Sequence, residues 1–172
     1  VSPDGLDTRF AVNTIAPYVL TKRLLTILAP EGRVVNLSSA AQAPFDPREL
    51  AQPSKRPHGA VYAQSKLALT MWTRFLADSL GSEGPVFVAV NPRSMLGSKM
   101  VQEAYGVNGA DLGIGADILC RASLSDEFAD AAGRYFDNDI GRFSSPHPDA
   151  LNPAKCEQVV TVIEDVLATL AR

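Results

Sequence analysis

"GAVYAQSKLALTMW", residues 59–72, sets Tyr62 four positions before Lys66 at the head of an apolar run. Ala68, Leu69, Met71, Trp72, Phe75, Leu76 and Leu80 extend that run and predict a helix over about 60–80 that is apolar on most of its surface. A helix of that kind lies inside a domain or at a subunit interface. On it, residues i and i+4 are neighbours with Cβ atoms about 6 Å apart. A phenol ionises near pH ~10. A close ammonium lowers that value by roughly 1–3 units, which lets a tyrosine trade a proton with an alcohol or carbonyl near neutral pH. Taken alone, the spacing fits an ordinary helix equally well, so the reading depends on what surrounds it.

Working outward, "RVVNLSS" (33–39) and "GPVFVAVNP" (84–92) read as short buried strands, and "RYFD" (134–137) as a third. Ser2 as cap, Pro3 and Asp4 predict a helix reaching about residue 29, bent at Pro17 and ended by "PEG". Residues 41–59, with four prolines, read as a long loop. The stretch 93–109 reads as a second loop, with a short helix near 99–105, and a further helix falls near 115–124. Asn152 and Pro153 open a final helix with apolar residues from Cys156 to Leu170 at helical spacing. Alternation of helix and strand predicts a parallel α/β sheet with right-handed crossovers. Three strands are few for a doubly wound sheet.

The chain has 172 residues, of which 46% are hydrophobic and 20% charged, enough for one domain over 1–172. A net charge of −3 argues against a nucleic-acid partner. Cys120 and Cys156 stand far apart, as reduced thiols of a cytoplasmic protein do, with no disulfide framework and no metal site expected. No apolar stretch approaches the ~20 residues of a membrane span. No secretion leader is apparent, so a cytoplasmic location is expected.

Four segments bear on chemistry in order: "DGLDTRFAVNTIAPYVLT" (4–21), "GRVVNLSSAAQ" (32–42), "YAQSKLAL" (62–69) and "VAVNPRSMLGSKM" (88–100). Together they resemble the C-terminal half of a short-chain dehydrogenase/reductase. "DPREL" (46–50) and "GADILCRASLSDEFADAAGRYF" (115–136) resemble its retinol-dehydrogenase-like branch. The resemblance implies a truncated Rossmann-like doubly wound parallel sheet, its last three strands with flanking helices. The family's glycine-rich half finds no counterpart in these residues. It implies that Tyr62 is the general acid/base, that Lys66 tunes it and binds the nicotinamide ribose, and that Ser39 polarises the substrate carbonyl. Asn13 would hold a water relaying protons from Lys66. Pro92 and Arg93 would lie beside the nicotinamide, with residues 93–109 covering the substrate. The cofactor would be NAD or NADP. The substrate would be a small, apolar alcohol or ketone. A homodimer would form through the helices near 3–29 and 60–80. The alternative is an inactive remnant acting as a dimerisation or partner-binding module.

The chain departs from the family at Arg93, where glycine is usual; the side chain either strains the loop or forces it outward. "GADLGIG" (109–115), with Asp137 beyond, mimics a dinucleotide fingerprint but lacks a strand before it. "DND" (137–139) reads as a solvated turn, and His58 and His147 receive no role. A sheet ending at 33–39 would leave an unpaired apolar edge. Marginal stability or self-association, and weak dinucleotide binding, are expected of the chain alone.

Overall fold

The computed structural model describes residues 1–171. Its first helix begins later than the cap signal at Ser2 predicts. Gly5 has φ +82 and closes a turn on the carbonyl of Ser2, and Asp7 caps instead by accepting the amide of Arg9. The helix then runs as α1 (Thr8–Phe10), a π-helical turn (Ala11–Ile15) and α2 (Ala16–Leu24). Pro17 has no amide hydrogen and its ring crowds the preceding turn. The widened π turn just before it accommodates both effects, so the expected bend is a π-bulge.

The remaining elements follow the predicted alternation. They are β1 (Arg33–Leu37), α3 (Pro47–Ala51), α4 (His58–Leu80), β2 (Val86–Asn91), α5 (Lys99–Tyr105), α6 (Leu112–Leu124), β3 (Tyr135–Asp137), β4 (Arg142–Ser144) and α7 (Pro153–Leu170). The sheet order is β1-β2-β3-β4, parallel except for the antiparallel β3–β4 hairpin. The fourth strand is a departure from the three expected. Its three residues include exposed Arg142, too short and too polar a run to signal a strand. Phe143 secures it, packing with ring centroids 5.1 Å from Phe136 and 5.2 Å from Phe128.

Side chains alternate across β1 and β2 and so build two cores. Val34 and Phe87 join the core shared by α4, α7 and the first helix. Val35, Val88 and Val90 join the smaller core under α6. The sheet is therefore covered on both faces, as a doubly wound α/β protein requires. β1 is the sheet's edge, and Leu37 on it is 44% exposed.

The long loop at 41–59 contains α3. Its Leu50 is fully buried, and Asp46, Glu49 and Arg56 pair around it. Among described residues, α4 is buried on nearly every side by the sheet, the first helix and α7. The second of the two helices expected at a subunit contact is thus covered within the chain. On the first helix, Val12 and Leu20 remain 62% and 59% exposed, and Ile27 in the turn after it is 76% exposed.

Candidate active site

Apolar strand residues drive β1 and β2 side by side, and their carboxyl ends open together into a cleft of about 370 Å³. Ser39, Tyr62, Lys66, Pro92 and Arg93 all line it. Five of the six residues singled out in the sequence thus meet at one place.

The serine pair divides by geometry. Ser38 turns inward, 3% exposed, and its hydroxyl meets that of Thr70 at 2.7 Å. That contact pins the end of β1 to α4. Ser39 faces the cleft. Its Oγ accepts the amide of Ala41 at 3.1 Å, which fixes the oxygen and leaves its proton free to be donated. Its carbonyl accepts the Tyr135 hydroxyl at 3.1 Å and the Gln42 side-chain amide at 3.1 Å. The backbone that carries Ser39 is therefore held by two side chains.

Helical spacing puts Tyr62 and Lys66 on one flank of α4, with Nζ 5.9 Å from the ring centroid. Lys66 Nζ donates to the carbonyl of Leu37 at 2.7 Å, so the helix residue is anchored to the strand end beside Ser39. Two further ammonium protons are free for a ligand. Among the described residues nothing holds the Tyr62 hydroxyl. Burial pulls the Lys66 ammonium down to about pH 8. Between pH 8 and its ordinary value near 10.5 the unfolded chain binds more protons at this side chain than the folded one. Its burial therefore destabilises the fold fully below pH 8, and stability is recovered as pH rises through that window. Lys66→Met is expected to be more stable relative to wild type at pH 7 than at pH 10.5. Denaturant titration at both pH values checks this; a difference independent of pH would overturn it.

Asn13 does not line the cleft. It sits in the π turn, and its Nδ2 donates to Ser65 Oγ at 3.1 Å. Ser65 Oγ in turn donates to the carbonyl of Tyr62 at 2.7 Å. Thr14 Oγ1 adds a bond to the Ser65 carbonyl at 2.9 Å. Asn13 is thus tied to the Tyr62–Lys66 turn from behind, through Ser65, and its side chain makes no hydrogen bond to Lys66.

"DND" closes β3 and enters a turn in which Asp139 is exposed, as expected, but its side chains also grip the neighbouring loop. Buried Asn91 donates to Asp137 and Asp139, each at 2.8 Å. Asp139 also accepts the Ser94 amide at 2.9 Å and the Ser94 hydroxyl at 2.6 Å. Asn138 donates to the Pro92 carbonyl at 3.0 Å. Burial raises the Asp139 carboxyl, but Ser94 and Asn91 outweigh it and hold the group below its usual value. This clamp fixes both sides of Arg93, which keeps φ +123. Of the two outcomes expected at Arg93, strain is the one found. The clamp was missed in the sequence; its signal was a polar residue, Asn91, closing an otherwise apolar strand.

Beyond Arg93 the chain doubles back on itself. Leu96 bridges Ala110, and Gly97 and Gly109 meet so closely that a Cβ on Gly109 would lie 2.7 Å from Gly97. α5 lies within this loop, and Leu96, Met100, Val101 and Tyr105 form an apolar wall over the cleft. "GADLGIG" supplies that bridge and the Asp111 cap of α6, with no strand before it. His147 caps a short 3₁₀ turn through Nδ1. Both cysteines are free, and burial pushes the Cys156 thiol up to about 11. Among the described residues no acidic, histidine or cysteine cluster could hold a metal ion.

A cleft at the carboxyl ends of parallel strands in a doubly wound sheet places the chain among α/β proteins that bind ligands at that end of the sheet. Residues 1–109 match the family model described as short chain dehydrogenase, and the chain belongs to that family. It is 30% identical over 166 residues to mouse retinol dehydrogenase 13, covering 86% of this chain and 49% of that protein. The chain spans about half the length of the curated relatives it matches most fully. Its fold is similar to that of an uncharacterized protein from Mycobacterium Paratuberculosis, with TM-score 0.72, 20% identity, and coverage of 96% of this chain and 60% of that one. It is also similar to the ketoreductase LanV, solved with NADP and rabelomycin, with TM-score 0.54, 23% identity, and coverage of 82% and 54%. Among the described residues no helix is long and apolar enough to cross a membrane.

Proposed function

We propose that the chain carries the catalytic and substrate-side half of an NAD(P)-dependent oxidoreductase acting on an alcohol or carbonyl. The observation that carries this reading is the convergence of Ser39, Tyr62 and Lys66 on one cleft, with Lys66 anchored to Leu37 at the end of β1, two residues before Ser39. The family, mouse retinol dehydrogenase 13 and LanV support the same class.

The residues present fit such a cofactor at its nicotinamide end. Lys66 has donors to spare, and the turn at Pro92 and Arg93 borders the same cleft. Tyr62, Lys66 and the backbone of Pro92 and Arg93 would hold that end, and the bound dinucleotide would supply the hydride. In reduction, the Ser39 hydroxyl donates a hydrogen bond to the carbonyl oxygen and orients it, keeping its own proton. Tyr62 Oη delivers a proton to that oxygen, and in the oxidative direction takes it back. Lys66 keeps positive charge against the Tyr62 ring, and its remaining donors would be available to the cofactor's ribose. Asn13, acting through a water, belongs to the relay that replenishes the proton. The apolar wall from Leu96 to Tyr105 suits an apolar substrate. A homodimer would use the exposed stripe of the first helix, and the free thiols suit a reducing, cytoplasmic setting.

Titration of NADPH and of NADH, followed by cofactor fluorescence, is expected to show weak but saturable binding. Oxidation of the bound cofactor by an aromatic ketone is then expected as a loss of absorbance. No saturable binding of either dinucleotide, or binding without ketone-dependent oxidation, would overturn the reading.

A further inference from the structure

The cleft has two charged side chains in its lining, Lys66 and Arg93, and both are cationic. Lys66 is bound to the Leu37 carbonyl. Arg93 is exposed. Among the described residues no carboxylate lies within ion-pair distance of its guanidinium. Asp139 is near enough for Arg93 to lower its pKa, yet its oxygens are occupied by Asn91 and Ser94. The rest of the lining is mostly apolar, with Met95, Leu96, Met100, Val101 and Tyr105.

The position itself is costly for any residue but glycine, because φ +123 is a conformation that side chains disfavour. The clamp of Asn91, Asn138 and Asp139 holds both neighbours of Arg93 and so keeps Arg93 in that conformation. The chain thus holds a strained, unpaired guanidinium beside the mostly apolar cleft that Ser39 and Tyr62 also line.

We propose that Arg93 sets substrate choice, and that the cleft takes an alcohol or ketone whose apolar body carries an acid group. The carboxylate meets the Arg93 guanidinium at the cleft mouth while the reacting oxygen reaches Ser39 and Tyr62. An apolar body with one oxyanion matches this lining, and a charge-assisted contact to a guanidinium is the strong kind. This assignment rests on reading the cleft as the site of carbonyl–alcohol chemistry.

Calorimetric titration without any dinucleotide, using naphthoate and its uncharged amide naphthamide, tests it. Wild type is expected to bind naphthoate about tenfold more tightly than naphthamide. Arg93→Gly relieves the backbone strain, so it is expected to melt no lower than wild type. In that variant the preference for naphthoate should vanish while naphthamide affinity is unchanged. Inorganic pyrophosphate, a probe for the cofactor's diphosphate, should bind both proteins alike. The proposal is overturned if wild type binds neither aromatic probe, or shows no preference, or if the preference survives in Arg93→Gly. It is equally overturned if the variant loses pyrophosphate binding instead, since the guanidinium would then serve the cofactor. Failure of the oxidoreductase reading shows separately, as absent ketone-dependent oxidation of NADPH.

Discussion

Tyr62→Phe is expected to lower the rate of ketone reduction by about 10²–10⁴-fold, the usual contribution of a positioned proton donor. The substitution removes one oxygen and keeps the ring. Among the described residues that oxygen has no protein partner, so its loss orphans no buried group. The Ser65–Tyr62 carbonyl bond and the Lys66–Leu37 anchor are made by backbone or by other side chains, and they survive the change. The melting temperature should therefore stay within the range of a neutral surface substitution. The loss should fall on kcat, with KM for the ketone little changed, because the proton is delivered in the transition state and Ser39 still holds the carbonyl. NADPH fluorescence titration should show cofactor affinity reduced only slightly, since Lys66 keeps its free donors. Steady-state kinetics decide the matter. Retention of more than a tenth of the wild-type kcat would remove Tyr62 from the acid/base role and with it the mechanism.

Strong signals in the sequence came from residues whose burial and spacing agree. The strands at 33–39 and 84–92 are β-branched and apolar because both their faces are covered, and this is legible locally. Asn152 and Pro153 begin α7 because cap and first-turn chemistry act within a few residues. The illegible parts depend on distant partners. β4 exists because Phe143 completes a cluster with Phe128 and Phe136, a contact that no window of three residues reveals. Ser2 and Pro3 carry a valid helix-start signal, but Gly5 adopts a positive φ and Asp7 caps more effectively, with Arg9 paired to its carboxylate. At the site, the spacing of Tyr62 and Lys66 fixes a shared helix flank. It does not reveal that the Asn13 side chain meets that turn by way of Ser65. Nor does it reveal that Asp137, Asn138 and Asp139 grip the loop around Arg93, because that grip exists only after β3 pairs beside β2.

Trp72→Ala is expected to destabilise the fold by about 3–5 kcal/mol, the range for truncating a fully buried aromatic residue. Trp72 is 0% exposed in the core shared by α4, the first helix and α7. Its ring meets Tyr18 edge to face at 5.6 Å. Tyr18 in turn donates to the Glu164 carboxylate on α7, and burial together with that carboxylate pushes its phenol above the ordinary value, so it stays a protonated donor. Trp72 therefore ties together three helices, two of which carry Asn13 and the Tyr62–Lys66 pair. The indole Nε1, however, is buried without a hydrogen-bond partner. An unpaired buried donor costs about 1–3 kcal/mol. Trp72→Phe removes it while keeping an aromatic ring in the pocket, so the lost volume and the relieved orphan offset one another. This variant is expected within about 1 kcal/mol of wild type. Chemical denaturation of both variants separates the contributions. The alanine variant should also lose ketone reduction well below its melting temperature, because Ser65 and Asn13 no longer hold a fixed register behind Tyr62. If alanine and phenylalanine cost the same, the indole nitrogen is satisfied in solution. If alanine costs under 1 kcal/mol, the three helices do not share the core that positions the site.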